Sequence, residues 1–372
     1  MRINMISGEE IASFNAEELC TLAATHGNAV RALKQHIQLL AGLPEYRQRL
    51  ASQDGLLSND QALTELQPSL DLQVLVLPYY KATRFQLKLL LRAAAEDRPG
   101  DLEELLQLPL DPDSGARDRT ALGVAASHGS EACVRLLLNA GADKNKITDL
   151  FGASPLWSAS NSGRQAVVRL LLQAGVDKDK AAITGTTPLW VASFHGHTGI
   201  VHLLLTAGAD KNRAKDENKA SPLYVACEQG HTEVAKLLLD ANADTEKANE
   251  NGETPLWISS QRSHLAILSL LLEAGANKDH ANHLGTSPLW IASAYGHVEV
   301  VSRLIRAGAD TRRPNLQATP FWIASRGGHF TVMRLLLAAA LKHRVLLLLG
   351  CLVDSCCLGL CCPAKGLHVM CS

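Results

Sequence analysis

Every tryptophan in this chain stands two residues after a proline. The five copies read Ser154-Pro155-Leu156-Trp157, Thr187-Pro188-Leu189-Trp190, Thr254-Pro255-Leu256-Trp257, Ser287-Pro288-Leu289-Trp290 and Thr319-Pro320-Phe321-Trp322. A sixth phrase, Ser221-Pro222-Leu223-Tyr224, carries tyrosine instead, and the prolines are 33, 34, 33, 33 and 32 residues apart. A period in this range specifies a solenoid, because one unit is too small to bury its own apolar face and must stack on its neighbours.

Each phrase predicts a helix start. The Ser or Thr hydroxyl can accept a hydrogen bond from an unpaired amide of the first turn. Proline at the first helical position gives up an N–H that had no partner there. Small residues follow, such as Ala192-Ser193 and Ala226-Cys227, and allow close helix approach. Gly163, Gly196, Gly230 and Gly296 are placed to end the short helix in the left-handed conformation. His197, His231, His264, His297 and His329 open the next segment. A second helix shows apolar spacing at i, i+3, i+4, as in Val168, Leu171 and Leu172. It closes at phrases such as Ala207-Gly208-Ala209-Asp210, with Asn242 replacing glycine in one unit. A polar turn then leads to the next phrase.

These phrases, recurring in phase, resemble the ankyrin repeat over about residues 86–342. Seven units begin near Arg119, Ala153, Thr186, Ala220, Glu253, Thr286 and Ala318. The resemblance implies a mostly α fold: a solenoid of helix-turn-helix units at 119–342, preceded by a degenerate capping pair at 86–118. One departure is systematic: Trp stands where the family usually has His. Trp carries one donor and no acceptor, but buries on the order of 200 Å². It is expected to fill the seam between units with its N–H on a carbonyl or water; an exposed aromatic row is the alternative.

The histidine row does not read as a metal site. Successive copies are expected on the order of 8–10 Å apart, whereas a tetrahedral zinc needs its ligands about 2 Å from the metal. There is no P-loop, dinucleotide fingerprint, HExxH or GxSxG phrase. The chain is expected to be non-catalytic and to use no cofactor or metal. The resemblance implies protein recognition through the turns and the concave face of the first helices. The sixth and seventh positions after each proline carry that expectation, with candidate residues Asn161, Phe194, His195, Glu228, Gln229, Gln261, Arg262, Tyr295 and Arg326. They include residue types enriched at binding hot spots.

The first 80 residues do not share the period. Arg2–Ile6 and Glu10–Phe14 predict a hairpin, Val30–Leu40 an amphipathic helix, and Arg49-Leu50 and Leu72–Leu77 later strands. With Gly42-Leu43-Pro44 and Gln48-Arg49-Leu50, this order resembles a ubiquitin-like β-grasp domain at 1–80, with an insertion at Cys20–Ala29. Ala51 stands where ubiquitin has a bulky residue of its recognition patch. Pro78-Tyr79-Tyr80-Lys81 stands in place of a terminal diglycine, so conjugation is not expected.

The tail, 343–372, is apolar and cysteine-rich, and its Asp354 interrupts a run too short for a comfortable bilayer span. It reads as a disordered, non-functional extension, with membrane association as the less favoured alternative. Only Cys20, Cys133 and Cys227 precede it, as in a reduced compartment. Basic and acidic residues nearly cancel, 36 against 37, which argues against nucleic acid as partner. With no N-terminal secretory pattern, the expectation is a monomeric cytoplasmic scaffold for another protein, the nucleus being an open alternative. A ubiquitin-pathway adaptor is the second reading.

Overall fold

The computed structural model describes residues 2–5, 7, 9–13, 18, 29–52, 55–57, 71–79, 82–108, 110–116, 119–147, 151–313, 315, 318 and 319–341. The cysteine-rich tail, Tyr80, Lys81 and all of the Cys20–Ala29 insertion except Ala29 lie outside the described residues. The chain divides into two compact units, Met1–Glu217 and Asn218–Ser372.

The first unit opens with a five-stranded sheet. Strands β1 (Arg2–Met5) and β2 (Glu10–Ser13) form an antiparallel hairpin. Helix α1 (Ala29–Ala41) follows, then β3 (Gln48–Ser52), β4 (Gly55–Leu56) and β5 (Asp71–Val76). The strand order is β2-β1-β5-β3-β4, with β5 parallel to β1 and antiparallel to β3. Alternation explains the face: Leu72 and Val74 are buried while Asp71 and Gln73 point outward. With Ile3 and Leu50 they meet Val30, Leu33 and Ile37 of α1, whose i, i+3, i+7 spacing forms one stripe.

Two polar side chains enter this core. Gln48 is fully buried, and its amide donates to the carbonyls of Lys34 and Leu43 at 2.9 and 2.7 Å. Lys34 is 1% exposed. Burial pushes its ammonium down to about 8; the positive Arg49 adds to this and Glu45 opposes it.

The same unit carries four helix pairs: Arg84–Ala95 with Pro99–Gln107, Ala121–His128 with Glu131–Asn139, Pro155–Asn161 with Gln165–Gln173, and Pro188–His195 with Thr198–Thr206. Successive first helices pack on one another, and so do successive second helices. The sheet domain attaches to the outer helices by polar contacts. The Arg31 guanidinium bridges Glu45 and Glu103, each at 3.1 Å. Arg49 donates to the Gln107 carbonyl and Gln38 to the Asn139 carbonyl, each at 3.0 Å.

The second unit repeats the pattern. Its first helices are Pro222–Gln229, Pro255–Gln261, Pro288–Ala294 and Pro320–Arg326. Its second helices are Thr232–Asp240, Leu265–Glu273, Val298–Arg306 and a last helix over 330–341. The predicted helix starts are present in both units. Ser154, Thr187, Ser221, Thr254, Ser287 and Thr319 each accept the N–H of the aromatic residue three positions on, at 3.1–3.3 Å. The residue five after the proline is small and fully buried at Ser160, Ser193, Cys227, Ser260 and Ser293. No side chain larger than these would allow the same helix approach.

The stops of the proline-initiated first helices show one exception to glycine. Ser263 occupies the left-handed position with φ 62, where Gly196, Gly230 and Gly296 stand in other units. This conformation costs an L-residue about 1–2 kcal/mol. Ser263→Gly is therefore expected to raise stability by about 1 kcal/mol, measured as a higher urea midpoint at constant m-value; an unchanged midpoint contradicts it.

Lys34 gives a pH dependence. Its folded pKa lies below the ordinary 10.5, so between about 8 and that value the unfolded chain binds the extra proton. Stability of the sheet domain should rise with pH across that window and level off above it. Lys34→Met should abolish the rise. Urea unfolding followed through the methyl signals of Leu33 and Leu72 would read it, and an unchanged slope in the variant would refute it.

Candidate functional site

The aromatic third position joins one helix pair to the next. The Trp157 indole N–H donates to the Thr186 hydroxyl at 3.2 Å. In the second unit Trp257 donates to the carbonyl and the hydroxyl of Thr286, at 3.0 and 3.1 Å. Trp290 donates to the carbonyl of Ala318 at 3.0 Å. Tyr224, like Trp257, is 4% exposed. Its hydroxyl donates to the Glu253 carboxylate at 3.0 Å and accepts from Asn249 at 3.1 Å. Burial, then the Glu253 charge, pushes the phenol far above its ordinary range, so it stays protonated and keeps donating. The expected seam is thus the arrangement found at these residues. Trp322, in the last pair, is the exception at 49% exposed.

The histidine row grips a different atom. His197 bonds the carbonyl of Asn161 at 3.3 Å. In the second unit His264, His297 and His329 bond the carbonyls of Glu228, Gln261 and Ala294 at 3.3, 2.9 and 3.1 Å. A ring nitrogen facing a carbonyl must be the protonated one. Arg164 stands in for histidine one pair earlier and donates to the Ser127 carbonyl at 3.1 Å. Each of these carbonyls belongs to the sixth residue after the helix start. The ring also lies against the preceding glycine: a Cβ at Gly163 would stand 2.9 Å from His197, and one at Gly230 2.7 Å from His264. Glycine is required there both by its positive φ and by this packing.

That clamp positions the predicted binding residues. In the first unit Asn161 and Phe194 are half-buried and His195 is exposed. The structure brings them together: His195 Nε2 meets Asn161 Oδ1 at 3.1 Å, Phe194 stacks on Trp190 at 5.5 Å between centroids, and the edge of His195 meets Phe194. In the second unit Glu228 and Gln261 are half-buried, and Gln229, Arg262, Tyr295 and Arg326 are exposed. Arg262 pairs with Glu228 at 3.6 Å, Tyr295 stacks on His297, and the Arg326 guanidinium lies 5.5 Å over the Trp322 ring. The sixth residue is thus half-held by the scaffold and the seventh, as a rule, projects. The stack of Phe194 on Trp190 and the pairing of a sixth position with the seventh position of the next helix pair, 34 residues on, were not anticipated from the sequence.

The turns spend much of their polarity on one another. The Asp177 amide donates to Asn145 Oδ1 and the Asp210 amide to Asp179 Oδ1, while Lys144 and Lys180 reach the Ala174 and Asn145 carbonyls at 2.6 Å. In the second unit the Asn277 amide donates to Glu246 and the Asp310 amide to Asp279, each at 2.8 Å. Among the described residues no group of three or more His, Cys, Asp or Glu could hold a metal ion. Burial pushes the Cys133 thiol up to about 12 and raises that of Cys227 further, which suits packing rather than nucleophilic chemistry.

The seam yields a graded prediction. Trp257→Phe keeps the apolar ring and loses the bonds to Thr286, and should cost about 1 kcal/mol. Trp257→Ala should cost about 3–5 kcal/mol. Urea unfolding monitored by circular dichroism would separate the two; equal losses would show that the indole N–H contributes nothing.

Comparison with known proteins agrees with this geometry. The family model "Ankyrin repeats (3 copies)" matches residues 90–182, 143–215, 189–282 and 274–345, together well over half of the chain. The human ASB11 ankyrin repeat domain is 29% identical over 59% of this chain and 98% of its own, with a TM-score of 0.53. The ankyrin repeat domain of Bcl-3, described as a unique member of the IkappaB protein family, is 28% identical over 59% of this chain and 99% of its own, also at 0.53. No curated protein matches the chain. With capped first helices, a histidine clamp and an inter-unit aromatic seam all in phase, the chain belongs to the ankyrin-repeat family.

Proposed function

We propose that this protein is a non-catalytic scaffold that binds another protein through the projecting ends of its first helices and the adjoining turns. The observation that carries the reading is the split at the sixth and seventh positions. The scaffold holds the sixth residue's carbonyl, and the seventh residues His195, Gln229, Arg262 and Tyr295 project from the helix ends; in the last pair the sixth residue, Arg326, is exposed as well. Pre-ordered aromatic and arginine side chains lose little entropy on binding, which favours recognition. Phe194 supports His195 by contact rather than by projecting itself.

A second reading rests on the N-terminal domain. The strand order β2-β1-β5-β3-β4, with a parallel central pair and one helix across the face, supports the ubiquitin-like β-grasp assignment. A ubiquitin-pathway adaptor would dock this domain to a proteasome or ligase component while the array selects cargo. Purified proteasome binding by the full chain, lost in a chain starting at residue 82, would favour the adaptor. Equal binding by both removes it.

The scaffold reading is tested by affinity capture with the full chain against a Phe194→Ala, Arg262→Ala, Tyr295→Ala variant. The variant should keep its helical circular dichroism and lose at least tenfold in affinity for the partner recovered. Recovery of the same partners at the same affinity would show that the binding face lies elsewhere.

A further inference from the structure

The array closes one side of the sheet domain by offering it helix ends. Gln107 and Asn139 are the last residues of Pro99–Gln107 and Glu131–Asn139, and a carbonyl at that place has no amide partner within its own helix. Arg49 and Gln38 supply the missing donors, and the Glu103 carboxylate takes Arg31. The loop before β3 also enters the stop of Glu131–Asn139. A Cβ at Gly141 would stand 2.5 Å from Pro44 Cγ, whereas at the equivalent Gly175 and Gly208 the nearest atom belongs to a lysine side chain, at 3.6 and 3.8 Å. Tyr79, under the Arg47 guanidinium at 4.5 Å, stands beside the same Gly141. Tyr46 is 8% exposed, and burial, then the Glu103 charge from the array, pushes its phenol up to about 12.

Two features make this contact reversible. Its hydrogen bonds go to groups that water can serve as well, and its ion pair is 39% and 34% exposed, where such pairs contribute little. The sheet domain also has a core of its own, whose members all lie between Ile3 and Val76, so it loses none of that core on leaving the array.

We propose that the contact is an autoinhibitory latch: the array holds the α1–β3 side of the sheet domain closed, and a protein that reads that side binds only after the domain, still folded, swings off. A competitor has to offer the same acceptors, a carboxylate and free helix-end carbonyls. This goes beyond the scaffold reading, and the two fail separately, since release of the latch is measured on the chain alone.

Gly141→Asn drives a wedge from the array side. Asn242 fills the same position of another unit at φ 58, so the helix stop tolerates asparagine, but at 141 its Cβ meets Pro44. Glu103→Arg in the same full chain repels Arg31, and Gly175→Asn is the control because nothing of the sheet domain stands there. Hydrogen exchange is read on peptides 30–37, 42–49 and 71–76, alongside the rotational correlation times of the Leu33 and Val134 amides from nitrogen relaxation. In the unaltered chain and the control the two amides should share one correlation time. In the double variant exchange over 42–49 should rise about tenfold, and the Leu33 amide should tumble about twofold faster than Val134, with 30–37 and 71–76 unchanged. No difference between the double variant and the control overturns the proposal. Acceleration of 30–37 and 71–76 as well would make the array a permanent part of the domain's fold and overturns it too. So does independent tumbling of Leu33 in the unaltered chain.

Discussion

The array depends on one reach: an aromatic side chain of one unit delivering a hydrogen to the start of the next. The residue that makes this reach also has its own amide fixed by the Ser or Thr of its own cap, as at Trp257 with Thr254 and Thr286. Backbone and side chain of a single residue thus couple helix initiation to stacking. A unit of about 33 residues buries too little by itself to be stable. Its helix start is useful only if the following unit is in place, and the indole or phenol enforces that condition.

A tryptophan in this position changes what the neighbour must provide. An indole is a donor only, so the next unit has to offer an acceptor. Thr286 supplies both carbonyl and hydroxyl, and Ala318 its carbonyl. Where tyrosine replaces tryptophan at 224, the following unit carries Glu253 at the place of Thr186 and Thr286, and the carboxylate takes the phenol hydrogen. The two departures from the repeat occur together because one is the other's partner.

Much of this was legible in the sequence, for stated physical reasons. Proline after a hydroxyl residue, glycine at a left-handed stop and the i, i+3, i+4 stripe each act within a few residues, and the helices formed where they fall. The alternation in Leu72–Leu77 and the stripe in Val30–Leu40 likewise placed the sheet and its helix. The geometry of the candidate binding positions was legible only in part. That Asn161 would meet His195, and Glu228 would meet Arg262, depends on how two units superpose 34 residues apart. Local pattern says nothing of that. The clamp of histidine on the sixth carbonyl was equally hidden, although Arg164 in a histidine place was a visible hint that the position requires a donor.

The same logic bears on where variation is tolerated. A side chain at the third, fifth or histidine position answers to two units at once, so a change there must be matched across the seam, as Tyr224 and Glu253 are. The seventh position is less bound by the seam: the neighbour holds the preceding carbonyl, and where the seventh side chain does touch it, as His195 touches Asn161 and Arg262 touches Glu228, the contact is made at the exposed helix ends. It is therefore the place where histidine, glutamine, arginine and tyrosine can replace one another between units while the stacking stays the same. Diversity of chemistry at a position of constant geometry is what a recognition surface requires, and here the stacking constraint itself creates it.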